Sequence, residues 1–228
     1  SPILCTSDSN IAVDNLVERL MRVRGDAMSK LGSGAQAKIV RIGHPARLLE
    51  SVLDASLEAQ VLKSDNSALA RDCEKECREL RRKLLKLDHR KDRAERNDAR
   101  RELRRIAKEE KQRQRKAVDE VINGSNVICA TLSGALSNSL RDQSFDVVVI
   151  DEAAQALEAA CWGAILKGRK AVLAGDHLQL PPTVMSDEAA KQGLGETLFA
   201  RVHAKWHGVG VARMLTTQYR MNRRIMQW

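Results

Sequence analysis

The sequence is poor in aromatic residues and has no long apolar run. Phe, Tyr and Trp make up 3% of the 228 residues, whereas apolar residues overall make up 43%. Aliphatic side chains must therefore supply most of a core. No apolar stretch approaches the roughly 20 residues that a membrane-spanning helix needs, and the first residues do not resemble a signal peptide. We expect a globular domain without a membrane partner.

The chain also lacks the cysteine spacing of a structural zinc site. Its five cysteines are scattered, without a CxxC pair or a histidine cluster. Cys73 and Cys77 lie four residues apart on a predicted helix, where a shared buried face is the simpler interpretation and a ligand pair the alternative. An odd, scattered set is typical of a reducing compartment. We therefore expect a cytoplasmic or nuclear protein.

A phosphate-binding loop of the form GxxxxGK[ST] is absent as well. The glycines at 32 and 34 are followed by Lys38 at the wrong spacing and by a predicted strand instead of a helix. We interpret this segment as an ordinary loop. The chain has no initiator Met, begins within a predicted strand and stops at Trp228 within a helical stretch. We expect it to be a fragment.

Positive charge dominates one part of the chain. The net charge is +9, and residues 63–120 contain 21 Lys and Arg against 14 Asp and Glu. Apolar residues recur there every three or four positions, which predicts an antiparallel helical hairpin with a cap at residues 64–67. The first helix would use Leu69, Cys73, Cys77, Leu80, Leu84 and Leu87. The charge is either an ordinary solvated face or a nucleic-acid surface, the latter including Arg100, Arg101, Arg104 and Arg105.

The remaining sequence alternates predicted strands and helices. Strands are predicted at residues 3–5, 38–42, 127–131, 145–150, 171–175 and near 209–215, and helices at 11–22 and 153–166. Such alternation predicts an α/β fold with a parallel sheet that is covered by helices on both faces. Ligands of such sheets bind beyond the carboxyl ends of the strands.

Chemically informative residues follow three of these strands. Asp151 and Glu152 come directly after the apolar strand 145–150, where one carboxylate can hold Mg²⁺ and the next can act as a general base towards water. The alternative for this pair is a simple solvated strand end. Gln179 follows the next strand and can both donate to and accept from a γ-phosphate and its water. Arg220 follows the last, where a guanidinium can stabilise charge on a transferring phosphoryl group.

Four motifs in order resemble motifs Ia, II, III and IV of superfamily 1 helicases, in their Up-frameshift-like branch. They are SNIAVDNL at 9–16, DEAAQA at 151–156, GDHLQLPP at 175–182 and QYRM at 218–221. The segment RIGHPARLLE at 41–50 is also similar. The residues at 6–8, Thr-Ser-Asp, depart from the Ala-Pro-Ser pattern usual in this branch, and an acid at this position would mildly repel nucleic acid.

The resemblance implies a RecA-like motor domain of the P-loop NTPase type. Residues 1–52 and 122–228 would form the domain, and 53–121 an inserted helical subdomain. It also implies ATP hydrolysis with Mg²⁺, coupled to 5′-to-3′ translocation on single-stranded RNA or DNA. The roles implied by matching positions are Asp151 for magnesium, Glu152 for water, Gln179 and Arg220 for the γ-phosphate, and Ser9, Asn10, Thr131 and Ser133 for nucleic acid.

In this family the phosphate loop precedes motif Ia, and a second motor domain follows. The chain alone is therefore expected not to hydrolyse ATP. We expect a monomer with ribonucleoprotein partners. Two other functions stay open from the sequence: a module that binds nucleic acid without turnover, and an ATPase that remodels complexes without unwinding duplexes.

Overall fold

The computed structural model describes residues 2–31, 37–88, 91–206 and 209–227, with only the backbone for 24–31 and Pro45. Its centre is a sheet of five parallel strands in the order β2-β3-β1-β4-β5. The strands are β1 (Ile3–Ser7), β2 (Ile39–Ile42), β3 (Val127–Thr131), β4 (Phe145–Ile150) and β5 (Gly168–Leu173). The predicted α/β class with a parallel sheet is thus confirmed.

Eight α-helices surround or extend from this sheet in the described part of the chain. They are α1 (Asn10–Leu31), α2 (Leu57–Leu62), α3 (Asp65–Lys86), α4 (Arg93–Asn123), α5 (Glu158–Ile165), α6 (Asp187–Lys191), α7 (Leu198–Trp206) and α8 (Arg223–Met226). None of the helices in the described ranges is long and apolar enough to cross a membrane.

The core lies on both faces of the sheet, as predicted. Successive residues of a strand point to opposite faces. Leu4 belongs to a cluster that includes Ile128 and Val148 and reaches α5 and the end of α4. Its neighbour Cys5 belongs to a second cluster, formed with α1 through residues such as Val13.

The helical hairpin is also present, formed by α3 and α4. The Ser64 side chain accepts a hydrogen bond from the Ser67 amide and caps α3, as the sequence predicted. Cys73, Cys77 and Ile106 form a buried cluster between the helices. Leu69, which was predicted in this seam, is instead 44% exposed, because the small buried residues Ser67 and Ala70 occupy the inner face of that turn.

Several boundaries differ from the sequence prediction, three elements by more than two residues. α1 continues to Leu31 instead of ending at 22, and the helix predicted at 153–166 begins only at Glu158. The strand predicted at 171–175 is β5, at 168–173. It starts with exposed Arg169 and Lys170. Charged residues interrupt the apolar pattern by which a strand is predicted from sequence. They are nevertheless compatible with an edge strand, whose side chains are in contact with water.

The strand predicted near 209–215 is wrong. Residues 211–219 belong to no helix or strand, and Val211 and Leu215 are 66% and 94% exposed. An apolar run becomes a strand only if it pairs with a neighbouring strand. In the described ranges the sheet ends at β5, and nothing pairs with its outer edge.

Candidate active site at the carboxyl edge of the sheet

The ends of β1, β3 and β4 lie side by side at one edge of the sheet. Ser7 is paired with Thr131, and Thr6 with Ile150. The turns that follow continue this pairing, since the Asp151 amide donates to the Thr6 carbonyl at 2.8 Å. The expectation that the motif residues share the carboxyl edge is met for these three strands.

The two carboxylates follow β4 in a tight turn, which replaces the predicted start of a helix. Asp151 is half-buried and Glu152 is exposed. Glu152 has a φ of 54°, a left-handed conformation that costs a side-chain-bearing residue about 1 kcal/mol or more. The turn is closed by hydrogen bonds from Gln155, whose backbone and side-chain amides both donate to Glu152. The backbone thus turns sharply where the two carboxylates leave the strand.

The turn after β5 is fixed against this turn. The Ala153 amide donates to the Ala174 carbonyl, and the Ala174 amide donates to Ile150, both at 2.8 Å. A Cβ at Gly175 would lie 2.9 Å from the Ala154 nitrogen. Only glycine allows so close an approach, so motifs II and III are held together by their backbones.

Gln179 is positioned by Asp176, a residue that the sequence analysis gave no role. The Asp176 carboxylate accepts hydrogen bonds from the Leu178 amide and from the Gln179 side chain, both at 3.0 Å. The Leu178 bond, followed by that of Gln179, lowers the pKa of Asp176. An aspartate that bonds to the backbone two residues ahead is a common turn residue, and this spacing is the signal that was available in the sequence.

His177, in the motif III loop, packs against aromatic and histidine side chains of α7. The His177 ring lies 4.5 Å from the His203 ring and 6.1 Å from the Phe199 ring, centroid to centroid.

Arg220 is not brought to the carboxylates. Its backbone amide and that of Met221 donate to the Gln218 side chain, which organises a turn before α8. The Arg220 side chain is exposed. Within the described ranges, no hydrogen bond or ion pair joins it to Asp151 or Glu152.

Three of the four predicted nucleic-acid residues make local hydrogen bonds at the same edge. Ser9 accepts from the Ala12 amide at 3.1 Å, and Thr131 accepts from the Gly134 amide at 3.0 Å. Asn10 accepts from Arg41 at 3.0 Å. Ser133 is exposed in the turn that follows β3. The structure brings the four residues to the edge that carries Asp151.

A buried ion pair behind Asn10 was missed by the sequence analysis. Arg41 is 0% exposed and donates to Asp14 at 2.7 Å, and Asp14 also accepts from the Leu49 amide. A Cβ at Gly43 would lie 2.9 Å from the Arg41 guanidinium. This pair joins the end of β2 to α1 and orients Asn10. The signal available in the sequence for this ion pair was an arginine inside the apolar strand Ile39–Ile42, two positions before a glycine.

One polar atom at this edge lacks a partner. Ser7 Oγ is fully buried, and no hydrogen-bond partner is found for it among the residues that the structure describes. Buried hydroxyls are nearly always bonded. Ser7 ends β1, beside Thr131 and the strand that carries Asp151. The described ranges contain no cluster of three or more His, Cys, Asp or Glu suited to a metal ion, so a cation here needs ligands besides this pair of carboxylates.

Comparison with known proteins identifies the family of the chain. The AAA domain family matches residues 1–187. The chain therefore belongs to this family, which agrees with the parallel sheet and the carboxylates at its edge.

Individual relatives extend over nearly the whole chain. DNA-binding protein SMUBP-2 of Mus musculus, an immunoglobulin mu-binding protein, is 45% identical over 99% of the chain. This match confirms the resemblance to the Up-frameshift-like branch of superfamily 1 helicases. DNA polymerase alpha-associated DNA helicase A of Schizosaccharomyces pombe is 37% identical, and an uncharacterized ATP-dependent helicase of Methanocaldococcus jannaschii is 34% identical, each over 99% of the chain. The chain spans 22%, 31% and 36% of these three relatives, respectively.

Proposed function

We propose that the chain is part of the first motor domain of an ATP-dependent helicase, which moves 5′ to 3′ on single-stranded RNA or DNA. The observation that carries this proposal is the backbone contact between the turn at Asp151 and Glu152 and the turn at Gly175. It fixes motifs II and III against each other at the edge of the sheet where ligands of such folds bind. Two of the relatives described above are named as helicases.

The residues present fit a nucleotide with Mg²⁺. Mg²⁺ in nucleotide sites is held by one or two carboxylates together with phosphates and water, and Asp151 is half-buried at a rigid strand end. Ser7 Oγ, which has no hydrogen-bond partner among the described residues, adds a buried polar group at the same edge. Bound Mg²⁺-ATP supplies the phosphoanhydride bond that is hydrolysed.

Each side chain then has a separate task. Asp151 would hold the cation, and exposed Glu152 would take the proton of the attacking water. Gln179, whose side-chain nitrogen donates to Asp176, would offer its amide oxygen to that water. Arg220 would contact the γ-phosphate, the role that its motif implies.

The phosphate loop and the second motor domain are assigned to other parts of the full-length protein. This is supported by the absence of GxxxxGK[ST] in the sequence and by the small share of each relative that the chain spans. We infer that residues 1–228 alone do not hydrolyse ATP.

Nucleic acid would cross the turns that carry Ser9, Asn10, Thr131 and Ser133. Short polar side chains and backbone amides suit contacts to phosphate and sugar, which carry no sequence information. Such contacts agree with a protein that acts on many sequences.

The proposal is tested by ATPase assays of the full-length protein, with and without single-stranded RNA and DNA. Stimulation of turnover by either is expected, and turnover that neither changes would contradict the motor. A strand-displacement assay with a 5′ overhang separates unwinding from the alternative of a remodelling ATPase. Binding without any turnover would instead favour the binding module.

A further inference from the structure

The two flanks of α4 differ in how their arginines are neutralised. On one flank, Arg101 pairs with Asp98, Arg105 with Glu102 and Arg113 with Glu109. Each acid lies three or four residues before its arginine, the spacing at which helix neighbours face each other. This flank is a conventional surface of mixed charge.

The other flank carries a continuous row of cations, which we call the basic stripe: Arg100, Arg104, Lys108, Lys111 and Arg115. They also recur every three or four residues, so they lie on one face over about 22 Å of helix. All five are exposed. None takes part in an ion pair within the described part of the chain. Within α4, the only acid three or four residues from a member of the stripe is Asp119, one turn beyond Arg115.

The stripe ends at a groove near the tip of the hairpin. The groove has a volume of about 300 Å³ and is lined by Arg81, Leu84, Leu85, Arg96 and Arg100. Leu85 is 86% exposed. Arginine planes and apolar side chains are surfaces on which unstacked bases rest.

We propose that the basic stripe of α4 is a second nucleic-acid surface, separate from the carboxyl edge of the sheet, which binds the phosphate backbone without reading sequence. Five like charges on one face repel each other, and a polyanion whose charges repeat along its length relieves this repulsion. The stripe shares no residue with the turns that carry Asp151, Glu152 and Gln179, or with Ser9, Asn10, Thr131 and Ser133.

Two matched double variants of the full-length protein test the proposal. Arg100→Gln with Arg104→Gln removes two stripe charges, whereas Arg101→Gln with Arg105→Gln removes two paired charges from the same turns of α4. Binding is measured by fluorescence anisotropy without ATP, from about 50 to 200 mM salt. The probes are a labelled single strand and a duplex of equal length. Lys108→Gln with Lys111→Gln repeats the test further along the stripe.

The stripe variants should lower the slope of log affinity against log salt by about 1.4 on single strands or about 1.8 on duplex DNA, and the paired-charge variant should not. The probe that shows the difference identifies the form of nucleic acid bound. Equal slopes for stripe and paired-charge variants would overturn the proposal, because the charge would then act diffusely. The proposal shares a nucleic-acid partner with the proposed function, but since no ATP is used, failure of the ATPase assay leaves this result standing.

Discussion

The turn after β4 and the turn before α8 both carry motif residues, yet they are built in opposite ways. The turn at Asp151 and Glu152 follows a buried strand and is bonded to the neighbouring strands on both sides, through Thr6 and Ala174. In the described part of the chain, the segment at 211–219 forms no strand and pairs with none. Its apolar side chains are exposed. A strand end fixes a functional side chain only when the adjacent strands are also in place.

The difference explains why one half of the proposed site is hydrogen-bonded into the sheet and the other is not. Motifs Ia, II and III follow strands β1, β4 and β5, which are adjacent in the sheet, each hydrogen-bonded to the next. Motif IV would follow a strand that finds no partner at the outer edge of β5.

The largest effect is expected from the buried pair behind Asn10. Asp14→Ala leaves the fully buried Arg41 without its carboxylate, which should cost about 3–5 kcal/mol of unfolding free energy. Glu102→Ala, which removes the acid of the exposed pair with Arg105, should cost at most about 1 kcal/mol. Urea unfolding of both variants measures this, and equal losses would mean that Arg41 does not depend on Asp14.

The second prediction compares a leucine packed against the sheet with a leucine in the exposed segment before Arg220. Leu140 is 0% exposed and Leu215 is 94% exposed. Leu140→Ala should therefore lower the unfolding free energy by about 2–5 kcal/mol, and Leu215→Ala by at most about 0.5 kcal/mol. A comparable loss at Leu215, measured by urea unfolding, would show that the segment is packed after all.

The third concerns the contact between motifs II and III. Gly175→Ala forces the turn at Ala153 and Ala154 to move, because the new Cβ meets backbone at 2.9 Å, and it should cost about 1–3 kcal/mol. Gly195→Ala is the matched control, since the nearest atom to a Cβ there is 3.8 Å away. ATPase turnover of the full-length protein should fall with the first variant only. Turnover that survives Gly175→Ala would separate the contact from the chemistry.

The smallest effect is a shift in titration. The pKa of Asp176 lies below the usual 3.8 because Leu178 and Gln179 donate to its carboxylate, so Gln179→Ala should raise it. A carboxyl whose pKa is lowered by folding adds stability above its unfolded pKa and loses it as the pH falls through the folded value, so this contribution disappears below about pH 4. NMR titration of the Asp176 carboxyl carbon measures the shift, and an unchanged pKa would exclude the Gln179 contact.

Much of the fold follows from sequence pattern, because strands buried on both faces are nearly continuous apolar runs. β4 is the clearest case, predicted to the residue, and the Ser64 cap of α3 is another. Where pattern failed, the cause was an interaction between distant residues. The strand predicted near 209–215 lacked a pairing edge, and the helix predicted from 153 was replaced by a turn that hydrogen bonds to Ala174 and Gln155 fix.

The candidate site shows the same division. The positions of Asp151, Glu152 and Gln179 after their strands were predictable from sequence. The left-handed backbone of Glu152, the positioning of Gln179 by Asp176 and the burial of Arg41 were not, because each arises from contacts formed only on folding. The sequence also did not show that Arg101 and Arg105 pair with acids whereas Arg100 and Arg104 do not. This difference appears only in the helix, where adjacent residues face different sides.

The central claim is that Glu152 activates the water that attacks ATP, and one substitution tests it most directly. Glu152→Gln keeps the size of the side chain and removes its basicity. In the full-length protein it should lower RNA- or DNA-stimulated ATPase turnover by about 10²–10⁴-fold and leave nucleotide binding within a few-fold of wild type. Stimulated turnover equal to that of wild type would contradict the account.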